Sequence, residues 1–162
     1  MNSVVFYASR SGNTRAVAEA IANVLSARGT VQLLTADQAL LGPVGSLDLL
    51  VIGGPTEKHG ITEAVARFLD RMGPDSLRGI AVAAFDTRLR WPRWLSGSAA
   101  SLVVERLTKL GARVVVPAES FIVNMKPTLE PGELSRAAVW AGSLADRVEA
   151  DASAPWDQRG IA

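Results

Sequence analysis

Short apolar runs punctuate the chain, and most are followed by a segment in which apolar residues recur every three or four positions. The first run, Val4, Val5, Phe6, Tyr7 and Ala8, leads into Val17, Ala18, Ile21, Ala22 and Leu25. This change of period predicts a strand feeding a helix. The helix is expected to stop at Arg28-Gly29, a cation in the last turn followed by a residue suited to a left-handed cap. A second strand is expected over Thr30 to Leu34, then a loop with one helical turn over Thr35 to Leu47, where Gly42-Pro43 and Gly45 are turn signals.

The run Leu49-Leu50-Val51-Ile52 is apolar throughout and stops at Gly53-Gly54-Pro55. Such a run fits a strand buried on both faces at the centre of a parallel sheet. Val65, Phe68, Leu69 and Met72 mark a second helix that stops at Gly73-Pro74. Ile80 to Phe85 reads as the fourth strand, Asp86 to Ser98 as a long polar and aromatic loop, and Val103, Leu107 and Leu110 as a helix ending at Gly111. The fifth strand begins near Arg113, runs through Val114, Val115 and Val116, and resumes at Ser120-Phe121-Ile122-Val123 after Pro117. Proline has no N–H for a central ladder, so this strand is expected at an edge or to carry a bulge. The last helix is expected from Glu133 to about Ala150, with Leu134, Ala137, Ala138, Ala141, Leu144 and Val148 on its buried face. The tail from Asp151 is small and polar apart from Trp156 and is expected to fray.

Strands alternating with helices imply right-handed crossovers and an α/β fold, a parallel sheet between two helical layers. Ligands of such sheets bind beyond the carboxyl ends of the strands, where the strand order reverses. The loops after strands one, three and four, Ser9 to Thr14, Gly53 to Thr62 and Asp86 to Ser98, are expected to meet there.

Composition narrows the chemistry. The chain of 162 residues is 48% hydrophobic, enough to fill the core of one domain, expected over residues 1–150. It has no cysteine and a single histidine, which excludes disulfides, thiolate catalysis and zinc–cysteine sites and leaves little scope for other metals. Redox chemistry would need a bound cofactor. The formal net charge of +1 gives no global attraction to nucleic acid or anionic membrane. With no apolar run long enough to span a bilayer and no basic segment leading an apolar core at the N-terminus, the chain reads as soluble and cytoplasmic.

The stretch Ser9-Arg10-Ser11-Gly12-Asn13-Thr14 joins the first strand to its helix. Amides at a helix start point outward, the helix dipole favours an anion there, and hydroxyls add donors; Gly12 permits a positive φ or a close backbone approach. The plainer reading is an ordinary connection with a Ser or Thr cap.

In these residues the chain resembles the flavodoxin family. Ser9, Ser11, Gly12, Asn13 and Thr14 match that family's Ser/Thr-x-Thr/Ser-Gly-Asn-Thr phosphate loop, Gly53-Gly54-Pro55-Thr56 is similar to its second loop, and Thr87 falls where its third loop flanks the flavin. The resemblance spans about Val4 to Val148, in the short-chain form. It implies a flavodoxin-like three-layer sandwich with five parallel strands in the order 2-1-3-4-5. It also implies bound FMN held by Ser9, Arg10, Ser11, Gly12, Asn13 and Thr14, by Pro55, Thr56, Glu57, Lys58, His59 and Gly60, and by Asp86, Thr87, Arg88, Trp91 and Trp94. Partners would be redox proteins, a reductase and an acceptor. The spacing agrees with a mononucleotide phosphate: no Walker lysine follows Gly12, and the three glycines of a dinucleotide fingerprint are missing.

Two departures bear on function. The second loop, Thr56-Glu57-Lys58-His59-Gly60-Ile61-Thr62, has no Trp, Tyr or Phe to cover the ring, so His59 either lies against it or is solvated. In the third loop Trp94, ahead of Trp91, is the expected stacking residue, unless both pack the loop down. Arg10 either pairs with the phosphate or points away while the backbone binds; the second is favoured. Glu119 is expected to cap the strand end or pair with a loop cation. The third loop sets Arg88, Arg90 and Arg93 against Asp86 alone. The leading reading is electron transfer between a reductase and an acceptor. The alternatives are an FMN-dependent NAD(P)H oxidoreductase acting on a quinone-like molecule and a flavin-free regulatory module of the same fold. If the arginines face the flavin rather than water, they stabilise the negatively charged reduced ring. Potentiometric titration is then expected to give a second-electron step less negative than in flavodoxins with acidic surrounds; an equally low value contradicts this.

Overall fold

The computed structural model describes residues 1–35, 38, 47–57, 60–90, 97–126 and 128–153. In chain order the elements are β1 (Asn2–Tyr7), α1 (Asn13–Ser26), β2 (Thr30–Thr35), β3 (Leu49–Pro55), α2 (Glu63–Asp70), β4 (Ala81–Leu89), α3 (Ala99–Lys109), β5 (Arg113–Val114), β6 (Glu119–Val123) and α4 (Glu133–Ser153). All strand pairings are parallel, in the order β2-β1-β3-β4, with β5 and β6 both paired to the outer side of β4. This is a flavodoxin-like sheet in the expected order.

Alternation along the central strands explains the three layers. Val5 and Tyr7 of β1, Val51 of β3 and Phe85 of β4 pack with Val17, Ile21 and Leu25 of α1 and Ala141 and Leu144 of α4. The intervening Phe6, Leu50, Ile52, Val82 and Ala84 pack with Val65 and Leu69 of α2 and Val103 and Leu107 of α3. Strands with no polar face must be covered on both sides, which places one helix pair on each. On the α1/α4 side, Phe85, Phe121 and Trp140 meet edge to face, with centroids 5.9–6.4 Å apart. Arg136 lies 5.0 Å over the Phe121 ring.

Several boundaries differ from the sequence reading for identifiable reasons. The strand expected to stop at Phe85 continues to Leu89, because Asp86, Thr87, Arg88 and Leu89 pair with Ser120 to Val123 of β6 and bond their polar side chains inward. Gly53, Gly54 and Pro55, expected as a turn, finish β3 by pairing with Phe85, Asp86 and Thr87. The interrupted fifth strand is two strands on one edge, consistent with Pro117 between them. Helix α4 extends past Ala150 to Ser153, where Asp151 is ion-paired to Arg113. Its buried face is Glu133, Ala137, Trp140, Ala141, Leu144, Ala145 and Val148, whereas Leu134 is 46% exposed. Glu133 turns inward because its carboxylate accepts from the Ile122 amide at 2.7 Å and from Arg136 at 2.6 and 2.8 Å. Glu119 pairs with Arg136 of that helix at 3.1 Å rather than with a loop cation. Most of the loop expected over Thr35 to Leu47, and the tail with Trp156, lie outside the described residues.

Two glycines show how tightly the strand ends are set. A Cβ on Gly53 would lie 2.0 Å from the Phe85 ring, which Phe121 and Trp140 hold in place. At Gly54 it would meet Val65 Cγ2 at 3.2 Å and Thr62 Oγ1 at 4.0 Å. Gly53→Ala is therefore expected to destabilise the fold by about 1–3 kcal/mol, the usual cost of overpacking. Gly54→Ala should cost clearly less. Denaturant unfolding of the two variants checks the order.

Candidate functional site

Three segments leave the sheet at the carboxyl ends of β1, β3 and β4. They converge where β1 stands between β2 and β3, the point at which the strand order reverses. In the first, Ser9, Arg10, Ser11 and Gly12 are exposed and Thr14 is buried. Gly12 has φ 85°, the left-handed region that favours glycine. Its amide donates to Ser9 Oγ at 3.1 Å, and Asn13 Nδ2 donates to Ser11 Oγ at 3.2 Å. Helix α1 begins here with no side-chain cap bond and no acid in its first turn. Arg15 in that turn opposes the helix dipole. It is paired with Glu19 at 2.7 Å, and this hydrogen bond and the carboxylate charge raise its pKa above the ordinary arginine value. An anion at the loop would offset both the uncapped dipole and the arginine.

The second segment is tied to the first by an ion pair, Arg10 Nε to Glu57 Oε1 at 3.2 Å. The Arg10 side chain is 83% exposed. Glu57 and Gly60 exchange backbone hydrogen bonds of 3.1 and 2.7 Å. Pro55 lies at the end of β3, and the Thr56 amide donates to the Thr87 carbonyl at 3.0 Å. The Thr62 side chain caps α2 by accepting from the Val65 amide.

Asp86 is fully buried and anchors the third segment. Its Oδ2 accepts from Thr56 Oγ1 at 3.1 Å, Ser98 Oγ at 2.7 Å and the Ala100 amide at 3.0 Å. Thr56 Oγ1 in turn accepts from the Ala99 amide at 3.0 Å. One carboxylate therefore joins the second loop, the return of the third and the start of α3, where a negative charge is favoured by the helix dipole. On the opposite face of β4, Thr87 Oγ1 lies 2.8 Å from Thr14 Oγ1. Arg88 is half-buried, with Nη1 donating to the Leu89 carbonyl at 3.4 Å.

A cleft of about 590 Å³ opens over the first two segments, within the range of roughly 300–1,000 Å³ usual for small-ligand sites. Tyr7, Ala8, Ser9, Arg10, Gly12 and Arg15 form one wall, Thr35 and Pro55 the strand ends, and Thr62, Glu63, Ala64 and Arg67 the other wall. Of the expected residues, Ser9, Arg10, Gly12 and Pro55 line this cleft; Ser11 and Asn13 lie on the first segment, Glu57 and Gly60 on the second, and Thr14 and Thr56 are bonded to Thr87 and Asp86 of β4 beneath. Lys58, His59, Trp91, Arg93 and Trp94 lie outside the described residues. Sequence reasoning did not assign Tyr7, Arg15, Thr35 and Arg67 to the site, because each reads as an ordinary strand or helix position. Ser98 had a legible signal, a serine just before a helix.

Glu130 was also missed, and it changes the local charge. The Val123–Leu129 bridge and the bond from the Glu130 amide to the Ile122 carbonyl bring it beside the end of β4. Arg90 Nε donates to Glu130 Oε1 at 3.0 Å and a second guanidinium nitrogen meets Oε2. That hydrogen bonding holds the Glu130 pKa below the ordinary glutamate value and raises that of Arg90. Among the described residues of this rim, Arg90 is therefore offset by Glu130.

Removing the Asp86 carboxylate would leave buried donors from two loops and a helix start without their acceptor. Asp86→Ala is expected to cost about 2–4 kcal/mol, and Asp86→Asn less, because an amide oxygen still accepts. Chemical unfolding gives the cost, and proteolysis in the 90s loop should rise in the same order.

Among the described residues no group of histidine, aspartate and glutamate is arranged to hold a metal, and no helix is long and apolar enough to cross a membrane. No curated relative matches the sequence. Solved structures do match. A flavodoxin from the domain Archaea has a TM-score of 0.71 at 24% identity, over 92% of this chain and 99% of that one. Flavodoxin 1 from Bacillus cereus has a TM-score of 0.73 at 24% identity, over 90% and 98%. The rubredoxin oxygen:oxidoreductase from Desulfovibrio gigas has a TM-score of 0.76 at 22% identity over 94% of this chain, which spans only 37% of that protein. These likenesses establish the fold. A family model described as Flavodoxin matches residues 5–138, most of the sequence and all three converging loops, and the chain belongs to the flavodoxin family.

Proposed function

We propose that this protein binds FMN and carries electrons between a reductase and an acceptor protein. The observation that carries the reading is the turn from β1 into α1: hydroxyls of Ser9, Ser11 and Thr14 around a left-handed Gly12, with no side-chain cap on the helix, at the reversal of strand order. The donor set suits a phosphate dianion, and flavodoxins generally bind FMN. The flavin, when bound, supplies one- and two-electron chemistry that no side chain of this cysteine-free chain provides.

The chain's own residues do the rest. Amides and hydroxyls of the first loop hold the phosphate, and the Arg10–Glu57 pair braces that loop against the second. Asp86, through Thr56 and Ser98, sets the separation of the second and third loops between which a flavin ring would lie. Trp94 and Trp91, outside the described residues, are the third-loop candidates to cover one ring face, the part that aromatic side chains play in this family. The carrier reading is supported by the likeness to flavodoxins, which match this chain along nearly their whole length.

Titration with FMN and riboflavin tests the reading. Wild-type protein is expected to quench flavin fluorescence and to prefer FMN. Ser11→Ala and Thr14→Ala should each weaken FMN about tenfold, the worth of a hydrogen bond to a charged group, while changing riboflavin little. Equal losses for both flavins would remove the phosphate assignment. Indifference of the wild type to FMN would remove the cofactor.

A further inference from the structure

The family resemblance puts Thr87 among residues that flank the flavin ring, but its side chain faces the other way. Phe85, two residues earlier on β4, packs against α1 and α4, and Thr87 shares that face. Its hydroxyl reaches Thr14, the second residue of α1, at 2.8 Å across 73 residues of sequence. Both side chains are almost fully buried, with 2% and 5% exposure. Thr87 is flanked across the sheet by Pro55 and Phe121. Valine would fill the same volume there without burying a hydroxyl, so the oxygen needs a use.

We propose that Thr87 is a positioning residue for the phosphate: it donates to Thr14 Oγ1 and so leaves the Thr14 hydrogen for an anion held in the first loop. This rests on the FMN reading above. The chemistry is simple. Each hydroxyl carries one hydrogen and two acceptor sites, so within the pair only one donates to the other. When Thr14 donates, its hydrogen is spent on Thr87 and the loop loses a donor. When Thr87 donates, the Thr14 O–H is free to donate in turn and is polarised by the bond it accepts. A dianion on the loop selects the second arrangement. The strand that carries Asp86 on one face thereby contributes on its other face to cofactor choice.

The test compares wild type, Thr87→Val, Thr87→Ser, Thr14→Val and the double variant Thr14→Val/Thr87→Val. Each is titrated with FMN and with riboflavin, and unfolded without flavin. Thr87→Val is expected to weaken FMN about tenfold, the worth of a hydrogen bond to a charged group, and riboflavin by less than about twofold. Thr87→Ser should restore FMN binding, and Thr87→Val should add little to the loss already caused by Thr14→Val. A purely structural pair would lower the unfolding midpoint and weaken both flavins alike; that result, or additive losses in the double variant, overturns the proposal. If wild type prefers FMN and Thr87→Val keeps the full preference, this inference fails alone. If wild type shows no preference, the FMN reading fails and this inference with it. A second measurement needs no variant. Adding inorganic phosphate to the flavin-free protein is expected to shift the Thr14 and Thr87 side-chain resonances together, and the absence of that shift also overturns the proposal.

Discussion

A buried carboxylate with three donors on one oxygen holds the working edge of this protein together. Asp86 sits inside the sheet, and its Oδ2 draws in the Thr56 hydroxyl, the Ser98 hydroxyl and the Ala100 amide. Those groups belong to the end of β3, the return of the third loop and the first turn of α3. Each of these segments gains a defined position because a buried anion is costly unless it collects donors, and the donors lie in different parts of the chain. The second loop, hung on the same network, is in turn ion-paired to the first through Glu57 and Arg10.

Strand β4 works differently on its two faces. Asp86 faces the α2/α3 layer and organises loops, whereas Thr87 faces the α1/α4 layer and touches the start of α1. This division follows from the pleat, since neighbouring residues on a strand point to opposite sides. It is possible because β4 runs to Leu89, and β6 supplies the ladder for that extension. The aromatic group of Phe85, Phe121 and Trp140 packs directly below and prevents the strand end from shifting, which is why glycine is required opposite it at position 53.

Charge around the site is a matter of tertiary pairing. Reading the 86–98 segment alone sets several arginines against a single aspartate. In three dimensions Glu130, forty residues away, is paired with Arg90, and Glu57 with Arg10. A basic segment in sequence is therefore a partly compensated rim in space. Local counting missed this because the partner acids lie on a different connection.

Much of the fold was legible in the residues. The apolar run Leu49 to Ile52 placed β3 at the centre, Pro117 pointed to an edge or a bulge in the interrupted strand, and Gly12 marked the turn from β1 into α1, because these are local constraints on backbone and solvent exposure. Other features were not legible. Asp86 and Thr87 read as loop because polar side chains usually leave a sheet at that point, and only their partners Thr56, Ser98 and Thr14 keep them inside. Glu133 took the buried place expected of Leu134 because the Ile122 amide and Arg136 receive its carboxylate. By itself, then, the sequence determined the layers and the position of the Gly12 turn, which follow from hydrophobic period and backbone freedom, while the strand order followed from the family resemblance. Which polar groups are buried, which charges are cancelled and which loops are joined was decided only by tertiary structure, since each depends on a partner far away in the chain.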